Sequence, residues 1–278
     1  MVQVELKIFN TGWVPAHRGL VVAGGGSGKV RMPALFALIR HPERGVILYD
    51  TGYSTRFYEA TRAWPYRIMR VLTPAEIREE DNADRKLLAA GVKAGEVKTI
   101  ILGHGHVDHV PGIVYFPNAE VVVNRREWEA MQGSALSVFR HAYLKSLYQG
   151  LTNPLRLLDF AAQGKPAAGF ERAIDLWGDG SMILVPLPGH TPGQMGLLVQ
   201  ARGGRFFLIG DAAWVSENYL ELRPPAFLAR TILASYPDFL ASLRLVREFH
   251  EREPETTIVP THCPETWKSL IARGVGLE

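Results

Sequence analysis

Thr99-Ile100-Ile101-Leu102-Gly103-His104-Gly105-His106-Val107-Asp108-His109 joins a short apolar run to three histidines and an aspartate packed into six residues. Thr99–Leu102 reads as a buried strand, and the glycine-bearing segment after it as a tight loop at the strand's C-terminal end. Random placement produces this H-x-H-x-D-H pattern in a chain of 278 residues with 9 histidines in only about three sequences in ten thousand. Neutral imidazole and carboxylate are the donors that zinc and similar divalent metals take. On a tight loop, His104 and His106 can point one way and Asp108 and His109 another. That arrangement serves two adjacent metals and over-supplies one.

Three more segments repeat the logic of a ligand at the end of a strand. Pro188-Gly189-His190-Thr191-Pro192-Gly193 lies between the strand candidates Met182–Val185 and Met195–Val199. Gly210-Asp211 ends Phe206–Ile209, and Pro260-Thr261-His262 follows Thr257–Val259. Further strands are read at Leu35–Arg40, Val46–Asp50 and Glu120–Asn124. Val2, Val4, Leu6 and Ile8 alternate with polar residues in a one-sided strand at the N-terminus. Thr73-Pro74-Ala75-Glu76 and Ser235-Tyr236-Pro237-Asp238 carry helix-start signals, the second ahead of Phe239, Leu243, Val246 and Phe249 at helical spacing. Ala201-Arg202-Gly203-Gly204 reads as a tight turn between strands. Mixed sheets covered by helices fit this pattern better than a uniform βαβ alternation. Residues 54–72 and 134–178 lack a clean strand pattern and are expected to be helical insertions in a single domain spanning 1–278.

The ordered set HxHxDH, GHTPG, GDA and TH resembles the metallo-β-lactamase-fold hydrolase superfamily, and Asp50-Thr51-Gly52 matches the DTG that precedes its metal motif. The resemblance covers about residues 30–265. It implies an αββα sandwich of two mixed sheets flanked by helices, with a dinuclear site at one edge. By position, His104, His106 and His190 would hold the first metal and Asp108, His109 and His262 the second, with Asp211 bridging. Zinc is the default, and iron, manganese or cobalt suit the same donors. Two adjacent metals make a bridging hydroxide available for attack at neutral pH, and Asp108 is the candidate for carrying a proton to the leaving group.

Composition limits the other readings. Apolar residues make up 47% and charged residues 21%, the balance of a folded globular protein. The net charge of +3 is too small to imply a nucleic-acid partner. Cys263, the lone cysteine, excludes an intramolecular disulfide framework and a CxxC zinc ribbon, and is expected to be a buried structural thiol. No stretch approaches the ~20 apolar residues of a membrane span, and no signal-peptide pattern is found, so a cytoplasmic location is expected. Ala23-Gly24-Gly25-Gly26-Ser27-Gly28-Lys29-Val30 looks like a phosphate loop but lacks its first glycine and final Ser/Thr. It is expected to be a flexible hairpin between the first strands. His17, His41, His141 and His250 are assigned to structure or surface.

Within the superfamily, Arg31–Ala34, Leu38–Pro42, Val46–Gly52, Val121–Trp128 and Asp211–Ala213 with Glu217-Asn218 are similar to the N-acyl homoserine lactonase branch. That resemblance implies lactone opening, with the acyl tail in an apolar pocket. The aromatic and apolar residues of 54–72 and 134–178 have three uses open to them: pocket lining, core or a dimer contact. Val107, Trp214 and Tyr219 are the candidate substrate contacts. Lactonases of that branch usually carry tyrosine three residues after the bridging aspartate, where this chain has Trp214, and Tyr219 or Tyr53 is left to compensate. The alternatives are a glyoxalase-II-like thioesterase, a phosphodiesterase and, from another class, a mononuclear-iron oxidoreductase on the same fold.

Overall fold

Residues Met32–Ile39 are eight consecutive buried residues, and a strand buried on both faces requires a covering layer on each. In the computed structural model, which describes residues 2–277, both layers are present. Leu35, Ala37 and Ile39 point into a core shared with Leu184, Leu197 and Leu208 of a second sheet. Phe36 and Leu38 point the other way, against Leu87, Met131 and Leu147 from helical segments. On the far side of the second sheet, Ile183, Leu198 and Phe207 meet Phe239, Leu243, Val246 and Phe249 of the helix Tyr236–Arg252. The result is a four-layer αββα sandwich.

The first sheet has the order β13-β1-β2-β3-β4-β5-β6, with β1 Glu5–His17, β2 Lys29–His41, β3 Gly45–Tyr49, β4 Val97–Leu102, β5 Glu120–Asn124, β6 Leu155–Leu158 and β13 Gly276–Leu277. The second runs β12-β11-β10-β9-β8-β7, with β7 Lys165–Ala167, β8 Phe170–Asp175, β9 Met182–Pro186, β10 Met195–Ala201, β11 Gly204–Gly210 and β12 Thr257–Pro260. Both sheets are mixed. Strands β3 to β6 pair in parallel, whereas β1, β2 and β3 pair antiparallel. In the second sheet β11 and β12 are parallel and the other pairs antiparallel.

Several local readings hold. Ser235 caps the helix Tyr236–Arg252 by accepting from Asp238 N, and Ala201–Gly204 turns β10 into β11. The glycine-rich stretch 23–30 joins antiparallel β1 and β2, with no helix after it of the kind a phosphate loop needs. The Arg223 guanidinium donates to Ala23 O and ties that loop down. The N-terminal strand begins at Glu5 and extends to His17; Met1 lies outside the described residues.

Two readings are corrected. Thr73–Glu76 does not start a helix: Thr73 follows the helix Arg67–Leu72, and Glu76 pairs with Trp13 through two backbone hydrogen bonds. The Tyr58 hydroxyl donates to Ala75 O and accepts from Ile77 N, holding this segment extended. Tertiary partners override the capping signal here. Residues 134–178 are helical only in part, at Ala135–Arg140, Lys145–Tyr148 and Phe160–Gln163, and also contribute β6, β7 and β8. In those strands only Leu158, Phe170 and Ala173 are buried, so no buried face writes an alternation into the sequence.

Candidate metal centre

The loop after β4 is clamped from two sides. Asp50, directly after β3, accepts Gly103 N–H on Oδ1 at 2.7 Å and His109 Nδ1–H on Oδ2 at 2.7 Å. The Thr51 hydroxyl donates to His109 O and accepts from Gly112 N. Gly52 has φ +64°, and a Cβ there would stand 2.2 Å from Thr11 Oγ1, so the position needs glycine. On the other side, Glu127 in the helix Arg125–Met131 is fully buried. Its Oε1 accepts Gly105 N–H and the Tyr143 hydroxyl, and its Oε2 accepts Gly193 N–H at 3.0 Å. One carboxylate thereby ties the His104–His106 loop to the His190 loop. A Cβ on Gly193 would fall 2.2 Å from Glu127 N, which explains the second glycine of GHTPG.

These clamps bring all seven expected ligand residues together. His104, His106 and His190 form one group able to hold a metal ion, and Asp108, His109, Asp211 and His262 form another, with ligand atoms within 4.8 Å of one another in each. Asp211 lies between them. Its Oδ2 is 3.3 Å from His190 Nε2 and 3.2 Å from His262 Nε2, and its Oδ1 is 3.5 Å from His109 Nε2.

The ring nitrogens facing away from the cluster fix the tautomers. His106 Nε2–H donates to His141 O, His262 Nδ1–H to Pro33 O and His109 Nδ1–H to Asp50. Each imidazole thereby turns its other ring nitrogen inward, toward the cluster, the orientation that outer partners impose on metal-bound histidines. Both His104 nitrogens, His109 Nε2 and Asp211 Oδ1 are buried without a hydrogen-bond partner. So many buried polar atoms without a partner in one place carry a desolvation cost that a bound cation offsets. The residues therefore fit a pair of divalent metals.

The two groups differ electrostatically. Burial and neighbouring histidines hold His104 well below the usual imidazole range, and push His106 down to about 3. Burial lowers His190 to about 4 despite Asp211. These three stay neutral. In the other group burial also disfavours the charged imidazole, but Asp50 and Asp108 hold His109 well above its ordinary value, and Asp211 and Asp108 raise His262 to about 10. Asp211 stays far below the usual carboxylate range, because His262 and His109 outweigh its burial.

The cluster lies against an apolar cavity of about 760 Å³. Val107 and Trp214 line it, the Trp214 ring edge-on to His190 at 6.1 Å. Tyr219 is not brought there: it is buried beneath the helix Tyr236–Arg252, its ring against His250 at 5.8 Å. Tyr53 does reach the cavity. Burial, then the charges of Asp108 and Asp211, raise its phenol well above the usual range. Both insertion segments supply lining, through Ile68, Met69, Val71 and Leu72 on one side and Phe139 and Arg140 on the other. Cys263 is fully buried against Ser216. His41 is buried against Asp179, and His17 sits exposed at the cavity. Sequence reading assigned no role to Glu127, and its partners Gly105, Tyr143 and Gly193 become neighbours only in the fold.

The sandwich with its histidine and aspartate cluster at one sheet edge defines a class. The family model described as the metallo-beta-lactamase superfamily matches residues 32–262, and the chain belongs to that superfamily. It is similar to the N-acyl homoserine lactonase AttM of Azorhizobium caulinodans, 29% identical over 276 residues and covering 97% of each chain. A "probable metallo-hydrolase" of Mycobacterium tuberculosis is 30% identical over 240 residues, covering 83% of this chain and 75% of that one. Among solved structures, a variant of B. thuringiensis AiiA with N-decanoyl-L-homoserine bound at the active site superposes with a TM-score of 0.75. It is 22% identical, over 97% of this chain and 96% of that one.

Proposed function

We propose that the protein is a dinuclear metal-dependent hydrolase that opens the ring of N-acyl homoserine lactones, acting in the cytoplasm. The observation that carries this reading is an assembled cluster of seven candidate ligands lying against an apolar cavity of about 760 Å³. Full-length similarity to lactonases supports the choice of substrate.

His104, His106 and His190 would hold one metal, Asp108, His109 and His262 the other, and Asp211 both. Zinc is the proposed metal. The chemistry such a pair supplies is Lewis acidity and an ionised water at neutral pH. Ring opening adds the oxygen of water to the lactone carbonyl carbon, breaks the bond from that carbon to the ring oxygen, and places a proton on the freed oxygen. Asp108 Oδ2, 3.1 Å from His262 Nε2, is the group assigned to carry that proton. The Tyr53 hydroxyl donates to the substrate carbonyl in place of the phenol that Trp214 displaces. Val107 and Trp214 wall the cavity beside it.

Proton release with a long-chain N-acyl homoserine lactone, set beside a thioester and a phosphodiester, tests the reading, with bound metal counted by elemental analysis. Turnover of the lactone alone by protein holding two zinc ions is expected. Preference for the thioester or phosphodiester overturns the substrate, and a single iron overturns the dinuclear hydrolase.

A further inference from the structure

The largest exposed apolar side chains are not scattered singly over the surface. Trp64, Val71, Leu72, Leu136, Phe227 and Leu228 are each at least 70% exposed, and they come from the three segments that form the cavity's outer wall. Val71 and Leu72 themselves line the cavity. Tyr66, beside Trp64, packs edge-on against Phe139 of the helix that carries Leu136, with ring centroids 5.8 Å apart. Ala226 N donates to Leu20 O, which ties the Phe227-Leu228 segment to a cavity-lining residue, and Ala229 and Ile232 just beyond it line the cavity too. An apolar rim gathered around one opening marks an interaction surface.

Charge decides what the rim fits. Arg62, Arg67 and Arg70 line a hollow of about 510 Å³ that shares Val71 with the cavity. None of the three has a carboxylate partner among the described ion pairs; Arg70 lies over the Tyr58 ring instead. Exposed tryptophan and aliphatic residues interleaved with unpaired arginines suit the boundary of an anionic bilayer, where the apolar groups enter the acyl region and the cations meet headgroup phosphate. A second copy of the chain matches the apolar rim but brings a like-charged patch to the same interface, which is unfavourable.

We propose that this rim docks the protein on anionic lipid surfaces, with the cavity mouth turned toward the bilayer. Resting on the lactonase reading, the consequence is that long-chain lactones dissolved in the membrane are drawn directly into the cavity. Docking itself does not depend on that reading.

The test uses purified metal-loaded protein and vesicles of phosphatidylcholine, alone or with a third phosphatidylglycerol, in the absence of substrate. Trp64 is the tryptophan at 74% exposure, so binding is expected to shift emission to the blue and to make it quenchable by a spin-labelled lipid. Trp64→Phe should lose that signal while still sedimenting with the vesicles. Binding should require phosphatidylglycerol and weaken with salt. Arg62→Gln with Arg67→Gln should weaken it about thirty-fold, and Phe227→Ser with Leu228→Ser should also lower it. Absence of binding to the anionic vesicles at low salt overturns the proposal. So does a concentration-dependent doubling of mass by light scattering that Phe227→Ser with Leu228→Ser abolishes, since that assigns the face to a second copy. Vesicle binding by protein that hydrolyses no lactone leaves docking standing and removes the substrate instead.

Discussion

The two halves of the metal cluster lie side by side and solve opposite problems. His104, His106 and His190 are three imidazoles kept neutral by burial and by one another. Asp108, His109, Asp211 and His262 include two carboxylates, with Asp50 behind them, and hold their histidines in the charged range. The first half offers lone pairs and little charge. The second offers negative charge that its own histidines neutralise until a cation displaces their protons. Asp211 touches both, so changing it alters both at once. Asp211→Asn is therefore expected to have the largest effect, lowering turnover by about 10³-fold. Elemental analysis should show the second ion lost before the first. Retention of two ions at full affinity would break the division into a neutral and a charged half.

Chelation should destabilise the fold as well as stop turnover. A metal bound at a thousand times its dissociation constant adds about 4 kcal/mol, so its removal should lower the melting temperature by about 10 °C. The metal-free protein should then reveal the contrast as a function of pH. His106 and His190 resist protonation when folded but titrate near the ordinary value of about 6.5 when unfolded. The unfolded chain thus binds more protons below that pH, and stability falls as pH drops toward about 4. His262 has the opposite sign. Raised to about 10, it contributes fully below the ordinary value, and its contribution is lost as pH rises toward 10. Melting temperatures of chelated protein should therefore peak near neutrality. His262→Ala should remove the alkaline fall and, by freeing Asp211 from its depressed pKa, also change the acid side, whereas His190→Ala should flatten the acid side; an unchanged alkaline fall in His262→Ala would refute the assignment.

A smaller effect is expected from the strap joining the two loops. Glu127→Gln retains the shape but cannot accept from both Gly105 N and Gly193 N while donating nothing, since one of its two oxygens becomes an amide. Metal affinity or turnover should fall by about 10- to 100-fold, with the loss greater for the half holding His190. Equal loss from both halves would mean that the strap supports the fold generally and not that half.

The legibility of these features follows from their chemistry. The seven candidate ligands are rare residue types at strand ends, with glycines and prolines fixing the loops between them, so His104 and His262 could be joined across 158 residues of sequence. Gly52 was legible as part of a motif, though its reason, the Thr11 side chain against it, is tertiary. Glu127 lies in the stretch Val121–Trp128, yet nothing local distinguishes it from Glu129 two residues later, so its role is invisible in sequence. The helix signal at Thr73-Pro74 was genuine local chemistry, outweighed by Trp13 and Tyr58 from elsewhere in the chain. Strands β6 to β8 were hidden because few of their residues are buried, and β6 and β7 lie at sheet edges, where burial imposes no pattern. Tyr219 and Tyr53 were indistinguishable as carriers of a hydroxyl until the fold placed one at the cavity and the other beneath a helix.

That last pair carries the smallest and most discriminating prediction. Trp214 occupies the wall beside His190, and its indole can donate a hydrogen bond but has no phenolic proton to give. Tyr53 lines the same cavity from the loop after β3. If its hydroxyl stabilises the substrate carbonyl, Tyr53→Phe should lower kcat about ten-fold with KM nearly unchanged. The two bound ions should remain, because no metal ligand has been touched. Tyr219→Phe should leave kcat alone. Trp214→Tyr should matter little in the parent protein but recover turnover in the Tyr53→Phe background, since either wall can then present a phenol to the same carbonyl. An unchanged kcat in Tyr53→Phe, which keeps the ring against Phe57, would show that Tyr53 acts through its packing and not through its hydroxyl.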